Sequence, residues 1–144
     1  MDFAEIAAFA ARHQILALAL AGLTLALVGN EIAGLFRGFK AVAPAALTAL
    51  VNRENALVVD LRPIADFEKG HVPGSKNVQM SQFDPENRQL AAARSLPVVL
   101  VCKTGQTAAG AAKRLRKAGF EQVFVLDGGI GAWQQAGLPL ARGR

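Results

Sequence analysis

The sequence predicts an α/β domain, helices covering both faces of a parallel sheet, preceded by one transmembrane helix. Three observations lead there. Continuous apolar, β-branched runs recur at Ala56–Asp60, Pro97–Val101 and Val123–Leu126, the pattern of strands buried on both faces. Helical segments separate these runs, as parallel crossovers require. Composition also changes sharply near residue 37: the chain before it is rich in Ala and Leu and nearly free of charge.

The early segment divides the chain into an anchor at 1–36, a basic linker at 37–43 and a domain at 44–144. From Gln14 to Asn30 there are 17 uncharged residues, apolar on every side of a helix. Ile32, Leu35 and Phe36 extend the run and Arg12 can snorkel at its other end, so a span over His13–Phe36 is expected. A cleaved signal peptide fits less well, because its small-x-small site, Ala41-Val42-Ala43, lies far past the apolar core. A buried or surface helix would show a polar stripe, which is missing.

The domain reads as follows. Pro44 opens a helix that continues through Ala45–Val51. The strand Ala56–Asp60 is followed by a helical turn, Pro63–Lys69, closed by Gly70, and by a short strand at Asn77–Gln79. A helix at Pro85–Arg94 leads to the strand Pro97–Val101. A basic amphipathic helix, Thr107–Ala118, ends at Gly119. After the strand Val123–Leu126, a last helix at Ile130–Ala136 stops before Gly137 and Pro139.

Charge and composition bound the function. The net charge is +5 from 16 Lys and Arg against 11 Asp and Glu, which suits an anionic substrate or membrane surface. Aromatics are 6% with no Tyr, which argues against base stacking, and no nucleic-acid partner is expected. One cysteine excludes an internal disulfide, and with two distant histidines it leaves a tetrahedral metal site short of ligands. No metal or other cofactor is expected.

In open parallel sheets, sites form at the carboxyl ends of strands. Asp60, Cys102 and Asp127-Gly128-Gly129 stand at three such ends. The middle one is the most informative. The strand stops at Cys102, and Cys102-Lys103-Thr104-Gly105-Gln106-Thr107 leads straight into a helix. Helix N-termini present unpaired N–H groups and the positive end of the macrodipole, so a thiolate there is stabilised without a neighbouring histidine. Lys103 adds positive charge, and Gly105 permits the turn. A lone cysteine is otherwise most often a small buried hydrophobe.

Flanking segments give the cysteine its context. Val58-Val59-Asp60-Leu61-Arg62, the stretch Asp66-Phe67-Glu68-Lys69-Gly70-His71-Val72-Pro73-Gly74-Ser75-Lys76-Asn77, and Phe124–Gly129 with Trp133 and Gly137-Leu138-Pro139 occur in order around the loop. In these motifs the chain resembles the rhodanese family from about Pro44 to Leu140. The resemblance implies a rhodanese-like three-layer domain with a parallel sheet of about five strands, and a single-domain sulfurtransferase of a membrane-anchored bacterial kind. Cys102 would take a sulfane sulfur from a small anionic donor such as thiosulfate, become a persulfide, and pass the sulfur to a thiol acceptor. Lys103, Thr104, Gly105, Gln106 and Thr107 would bind the donor, with Asp60 and Arg62 in support. Lys103 replaces the family's frequent Arg, keeping the charge but losing the bidentate fork. The alternative function is a catalytically weak adaptor module at the membrane.

Other residues read as structural. Arg62 is expected to pair with Asp66 or Glu68, Asp60 to tie loop backbone, His71 to bond backbone in a turn, and Trp133 to lie in the core. Lys113, Arg114, Arg116 and Lys117 form a basic helix face, best read as solvated. Gly105–Gly110 imitates the start of a phosphate loop, but Ala111 and Ala112 stand where Lys and Ser/Thr are needed. A cysteine phosphatase needs a longer loop ending in Arg, and Ala108 follows Thr107. The membrane contact is with lipid through the N-terminal helix. For the anchored bacterial protein that the resemblance implies, Lys and Arg counts near the span and the redox chemistry of a persulfide together predict an inner-membrane location with the domain in the cytoplasm.

Overall fold

The computed structural model describes residues 2–144. The chain divides into two compact units, one ending at Arg37 and the other running from Gly38 to Arg144.

The first unit holds two helices, α1 (Phe3–Arg12) and α2 (Gln14–Leu35). The sequence marked only the second. Helix α2 is 22 residues long, about 33 Å at 1.5 Å per residue, and none of it is buried in the protein. It is long and apolar enough to cross a membrane. His13 joins the two helices with φ −121° and ψ 56°, outside the helical region. Its N–H still donates to Phe9 and its carbonyl still accepts from Ala17, so the break leaves the hydrogen bonding on either side intact.

The second unit is a three-layer α/β domain. Its elements are β1 (Lys40–Val42), α3 (Pro44–Glu54), β2 (Leu57–Asp60), α4 (Ile64–Lys69), β3 (Lys76–Asn77), α5 (Arg88–Ala91), β4 (Pro97–Val101), α6 (Gln106–Lys117), β5 (Gln122–Leu126) and α7 (Gly129–Gln135). The five strands lie in the order β1-β5-β4-β2-β3, every pair parallel. The expected parallel sheet of about five strands is therefore present.

Strand β4 sits at the centre and is buried at every position. Its side chains alternate, as the pleat requires. Val98 and Leu100 join Val59, Leu90 and the α6 residues Ala108, Ala111, Ala112 and Leu115 on one face. Val99 and Val101 join Leu47, Ile130 and Trp133 on the other. The α6 contacts fall at i, i+3, i+4 and i+7, one stripe of the helix. Three of the four are alanines, so the helix axis can approach the sheet closely, with its N-terminus above the end of β4.

The short strand expected at Asn77–Gln79 lies at Lys76–Asn77, and two further segments differ from the sequence reading. Within the segment read as a basic linker, Lys40–Val42 pairs with Phe124–Leu126 as an edge strand. A short edge carrying a solvent-facing Lys looks polar in sequence because only one side of it is covered. The helix expected over Pro85–Arg94 contracts to Arg88–Ala91. The Asp84 carboxylate accepts the Glu86 N–H and the Asn87 amide oxygen accepts the Gln89 N–H, so side chains hold the preceding residues in turns.

Candidate active site

The site is built at the carboxyl ends of β4 and β2. Cys102 follows β4 directly, and its side chain is buried, the residue being 4% exposed. Its Sγ accepts the N–H of Gly105 at 2.9 Å and that of Ala108 at 3.4 Å. Gly105 takes φ +101°, a left-handed conformation that costs a residue with a Cβ about 1–2 kcal/mol. That turn aims its N–H at the sulfur. Ala108 belongs to the first turn of α6, so the sulfur lies at the positive end of a twelve-residue helix. Both features direct positive potential at the sulfur.

The loop is fixed from behind. The Cys102 carbonyl accepts the N–H of Ile130, in the first turn of α7, at 2.9 Å. Lys103, Thr104, Gln106 and Thr107 are exposed around the buried thiol.

The end of β2 forms the facing wall. Asp60 is fully buried, and its carboxylate accepts the Arg62 backbone N–H at 3.0 Å, the Arg62 Nε at 3.0 and 3.1 Å, and Nη2 at 2.8 Å. Arg62 Nη2 also donates to the Gly70 carbonyl at 2.8 Å. Arg62 therefore pairs with Asp60, not with Asp66 or Glu68 as the sequence suggested. Those two acids meet other cations: Lys69 lies 3.9 Å from Asp66 and Arg144 lies 3.4 Å from Glu68. Asn77 Nδ2 donates to the carbonyls of both Asp60 and Arg62, tying β3 to the same corner.

A cleft of about 340 Å³ opens on the thiol. Leu61, Pro63 and Met80 supply apolar wall, and Arg62, Gln79, Ser81, Lys103 and Thr107 supply polar edge. Of the residues singled out from sequence, Cys102, Lys103, Thr107 and Arg62 meet here. Gly105 acts through its N–H, Asp60 sits behind Arg62, and Thr104 and Gln106 belong to the loop without lining the cleft. Pro63, Gln79, Met80 and Ser81 were not foreseen. The Gln79 Oε1 accepts the Ile64 N–H at 3.2 Å, a bond across 15 residues that has no local sequence signal.

His71 lies elsewhere. It stacks on Phe67 with ring centroids 3.7 Å apart and bonds the Phe67 carbonyl through Nδ1. Trp133 is in the core and donates Nε1–H to the Pro139 carbonyl at 2.8 Å. On the α6 face, Arg114 donates to the Phe83 carbonyl and Arg116 to those of Phe120 and Glu121, so those two cations hold the chain together. Among the described residues, no group of three or more His, Cys, Asp or Glu side chains could hold a metal ion.

The family model for the rhodanese-like domain matches residues 43–136. A protein of Escherichia coli (strain K12) called YibN, described as uncharacterized, is 39% identical over 141 residues, covering 97% of this chain and 99% of its own. The thiosulfate sulfurtransferase GlpE of Pseudoalteromonas translucida is 33% identical over 101 residues, covering 68% of this chain and 91% of its own. Among solved structures, a thiosulfate sulfurtransferase from Pseudomonas aeruginosa superposes with a TM-score of 0.65 at 30% identity. That match covers 73% of this chain and 20% of the other, much longer chain.

Proposed function

The chain belongs to the rhodanese-like family, and we propose that it is a membrane-tethered sulfurtransferase working through a persulfide on Cys102. The donor is a small anion with a sulfane sulfur, such as thiosulfate, and the acceptor is a thiol. One observation carries the reading: the Cys102 Sγ accepts the Gly105 and Ala108 N–H groups at the floor of an open cleft.

The chemistry balances without a cofactor. The Cys102 thiolate attacks the outer sulfur of thiosulfate. The sulfur–sulfur bond of the donor breaks and its electron pair leaves with sulfite. A new bond joins that sulfur to Sγ, and the terminal persulfide sulfur carries the negative charge. An acceptor thiolate then attacks the terminal sulfur, and the electron pair returns to Cys102. Negative charge stays within reach of the same N–H groups throughout, which is the kind of preorganised stabilisation that lowers such barriers.

The remaining roles follow from position. Lys103 and Thr107 line the entry to the thiol, Thr104 and Gln106 lie beside them in the loop, and Lys103 supplies charge for a dianionic donor. Asp60 and Arg62 act as positioning residues for the facing wall. Residues 1–36 serve as the anchor, and the catalytic domain extends to Arg144 with β1 as part of its sheet. The rival reading, a weakly active adaptor, gives no role to a buried thiol held by two N–H groups.

Intact-mass measurement after incubation with thiosulfate tests the reading. Wild-type protein should gain one sulfur and lose it again on addition of cyanide, and Cys102→Ser should gain none. A wild-type protein that stays unmodified under saturating thiosulfate would favour the adaptor.

A further inference from the structure

We infer that α1 lies along the membrane surface, its apolar stripe seated at the boundary between lipid headgroups and acyl chains, beside the bilayer that α2 crosses; this rests on the membrane tethering proposed above.

Length is the first argument. Helix α2 is about 33 Å long and matches a hydrocarbon core of about 30 Å by itself. Adding the ten residues of α1 in line would give about 48 Å, far more than the core. The helix axis is also interrupted between them, at the non-helical His13. Helix α1 therefore belongs outside the core, within one residue of its edge.

Amphipathicity is the second. Phe3, Ile6 and Phe9 are 87%, 50% and 58% exposed and share one side of α1 with Ala7 and Ala10. Glu5 and Arg12, seven positions apart, fall together opposite Phe3, and Ala4, Ala8 and Ala11 lie opposite the Ile6 and Phe9 edge. Helix α2 has no such division, being apolar all round. The two helices thus carry the two patterns that distinguish lying on a membrane from crossing it. A ten-residue helix is marginal in water even with its own cap, here the Glu5 carboxylate accepting the Asp2 N–H at 3.3 Å. Burial of the Phe3, Ile6 and Phe9 stripe supplies the missing stabilisation.

Charge decides the kind of contact. Asp2 and Glu5 oppose Arg12, so α1 has no cationic face for anionic headgroups. Its attachment is apolar insertion, insensitive to the lipid's charge.

The test uses the full chain in phosphatidylcholine vesicles, with Cys102→Ser removing the native thiol and a spin label on a single new cysteine. Three variants are compared: Ile6→Cys on the stripe, Ala8→Cys opposite it, and Leu23→Cys in mid-α2. Collision with oxygen reports lipid, and collision with a water-soluble nickel chelate reports water. The label at 6 should favour oxygen and meet nickel about threefold less than the label at 8, as an interfacial helix requires. The label at 23 should be shielded from nickel. The contrast between 6 and 8 should persist when anionic phosphatidylglycerol is included. Equal nickel access at 6 and 8 with 23 shielded would put α1 in water and overturn this inference alone. Shielding of both 6 and 8 from nickel would put α1 in the hydrocarbon core where oxygen is favoured, or inside protein where oxygen is excluded, and either would overturn it equally. Nickel access at 23 would overturn the tethering itself.

Discussion

The Ile130 N–H donates to the Cys102 carbonyl at 2.9 Å, so the loop that holds the thiol is anchored from the start of a helix distant in sequence. This contact depends on the residue between the two turns. Gly129 has φ +63°, and a Cβ there would overlap the carbonyls of Cys102 and Lys103. Gly129→Ala should therefore push the loop away from its place. A displacement of about 1 Å at a reacting group can cost about a hundredfold in rate. Thiosulfate:cyanide activity should fall at least about tenfold while circular dichroism still reports the α/β fold. Wild-type kcat in that variant would show that the Ile130 anchor does not set the thiol's position.

Cys102→Ser should remove sulfur transfer, by about a thousandfold or more, because a hydroxyl in the same cradle is a far weaker nucleophile toward sulfur. The thermal midpoint should change little, since Ser is close to Cys in size and the two N–H groups retain an acceptor. Residual transfer near the wild-type rate would require another nucleophile, and the chain has no second cysteine.

Lys103 should act on donor binding. It is the one charged side chain in the loop, it is exposed, and it lines the cleft. Lys103→Ala should raise KM for thiosulfate about tenfold, equivalent to about 1.4 kcal/mol, with a smaller change in kcat. Lys103→Arg should keep or improve KM by restoring a bidentate fork. A collapsed kcat with unchanged KM in the Ala variant would assign the lysine to the chemical step.

The parallel sheet and the cysteine loop were legible in the sequence because each is local. The buried runs at 97–101 and 123–126 need only their own residues to be recognised, and the loop lies between a strand and a helix a few residues apart. What stayed hidden depends on distant partners. Lys40–Val42 looks like a linker until Phe124–Leu126 lies beside it. Met80, Ser81 and Gln79 become cleft wall only through the pairing of β3 with β2. Arg62 had three acids nearby in sequence, and burial of the Asp60 carboxylate at the strand end decided among them.

The Asp60–Arg62 pair should matter to stability. The Asp60 side chain is 1% exposed and that of Arg62 11%, so removing either leaves a charge largely out of water. Breaking such a pair costs about 3–5 kcal/mol. Asp60→Ala should lower urea stability by about that much, and adding Arg62→Ala should recover part of the loss, because the orphaned guanidinium is gone. Equal and additive losses in the single and double variants would mean that the two side chains act independently.

The rhodanese-like domain should face the cytoplasm. Lys and Arg within about 15–20 residues of a span bias their side toward the cytoplasm. After α2 stand Arg37, Lys40 and Arg53, and before it stands Arg12 alone. Asp2 and Glu5 count little in this balance. Redox chemistry points the same way. A persulfide on a lone cysteine needs reduced thiols as acceptors, and an oxidising periplasm would drive Cys102 to mixed disulfides or higher oxidation states. Alkaline phosphatase folds actively only in the periplasm, and green fluorescent protein exported in unfolded form is dark there. Fusion of each after Arg144, expressed in a Gram-negative host, should give a fluorescent cell and an inactive phosphatase. Adding a Lys pair beside Arg12 while replacing Arg37 and Lys40 with Gln should weaken or reverse that pattern. Strong phosphatase activity from the unaltered fusion would put the domain outside the cell membrane.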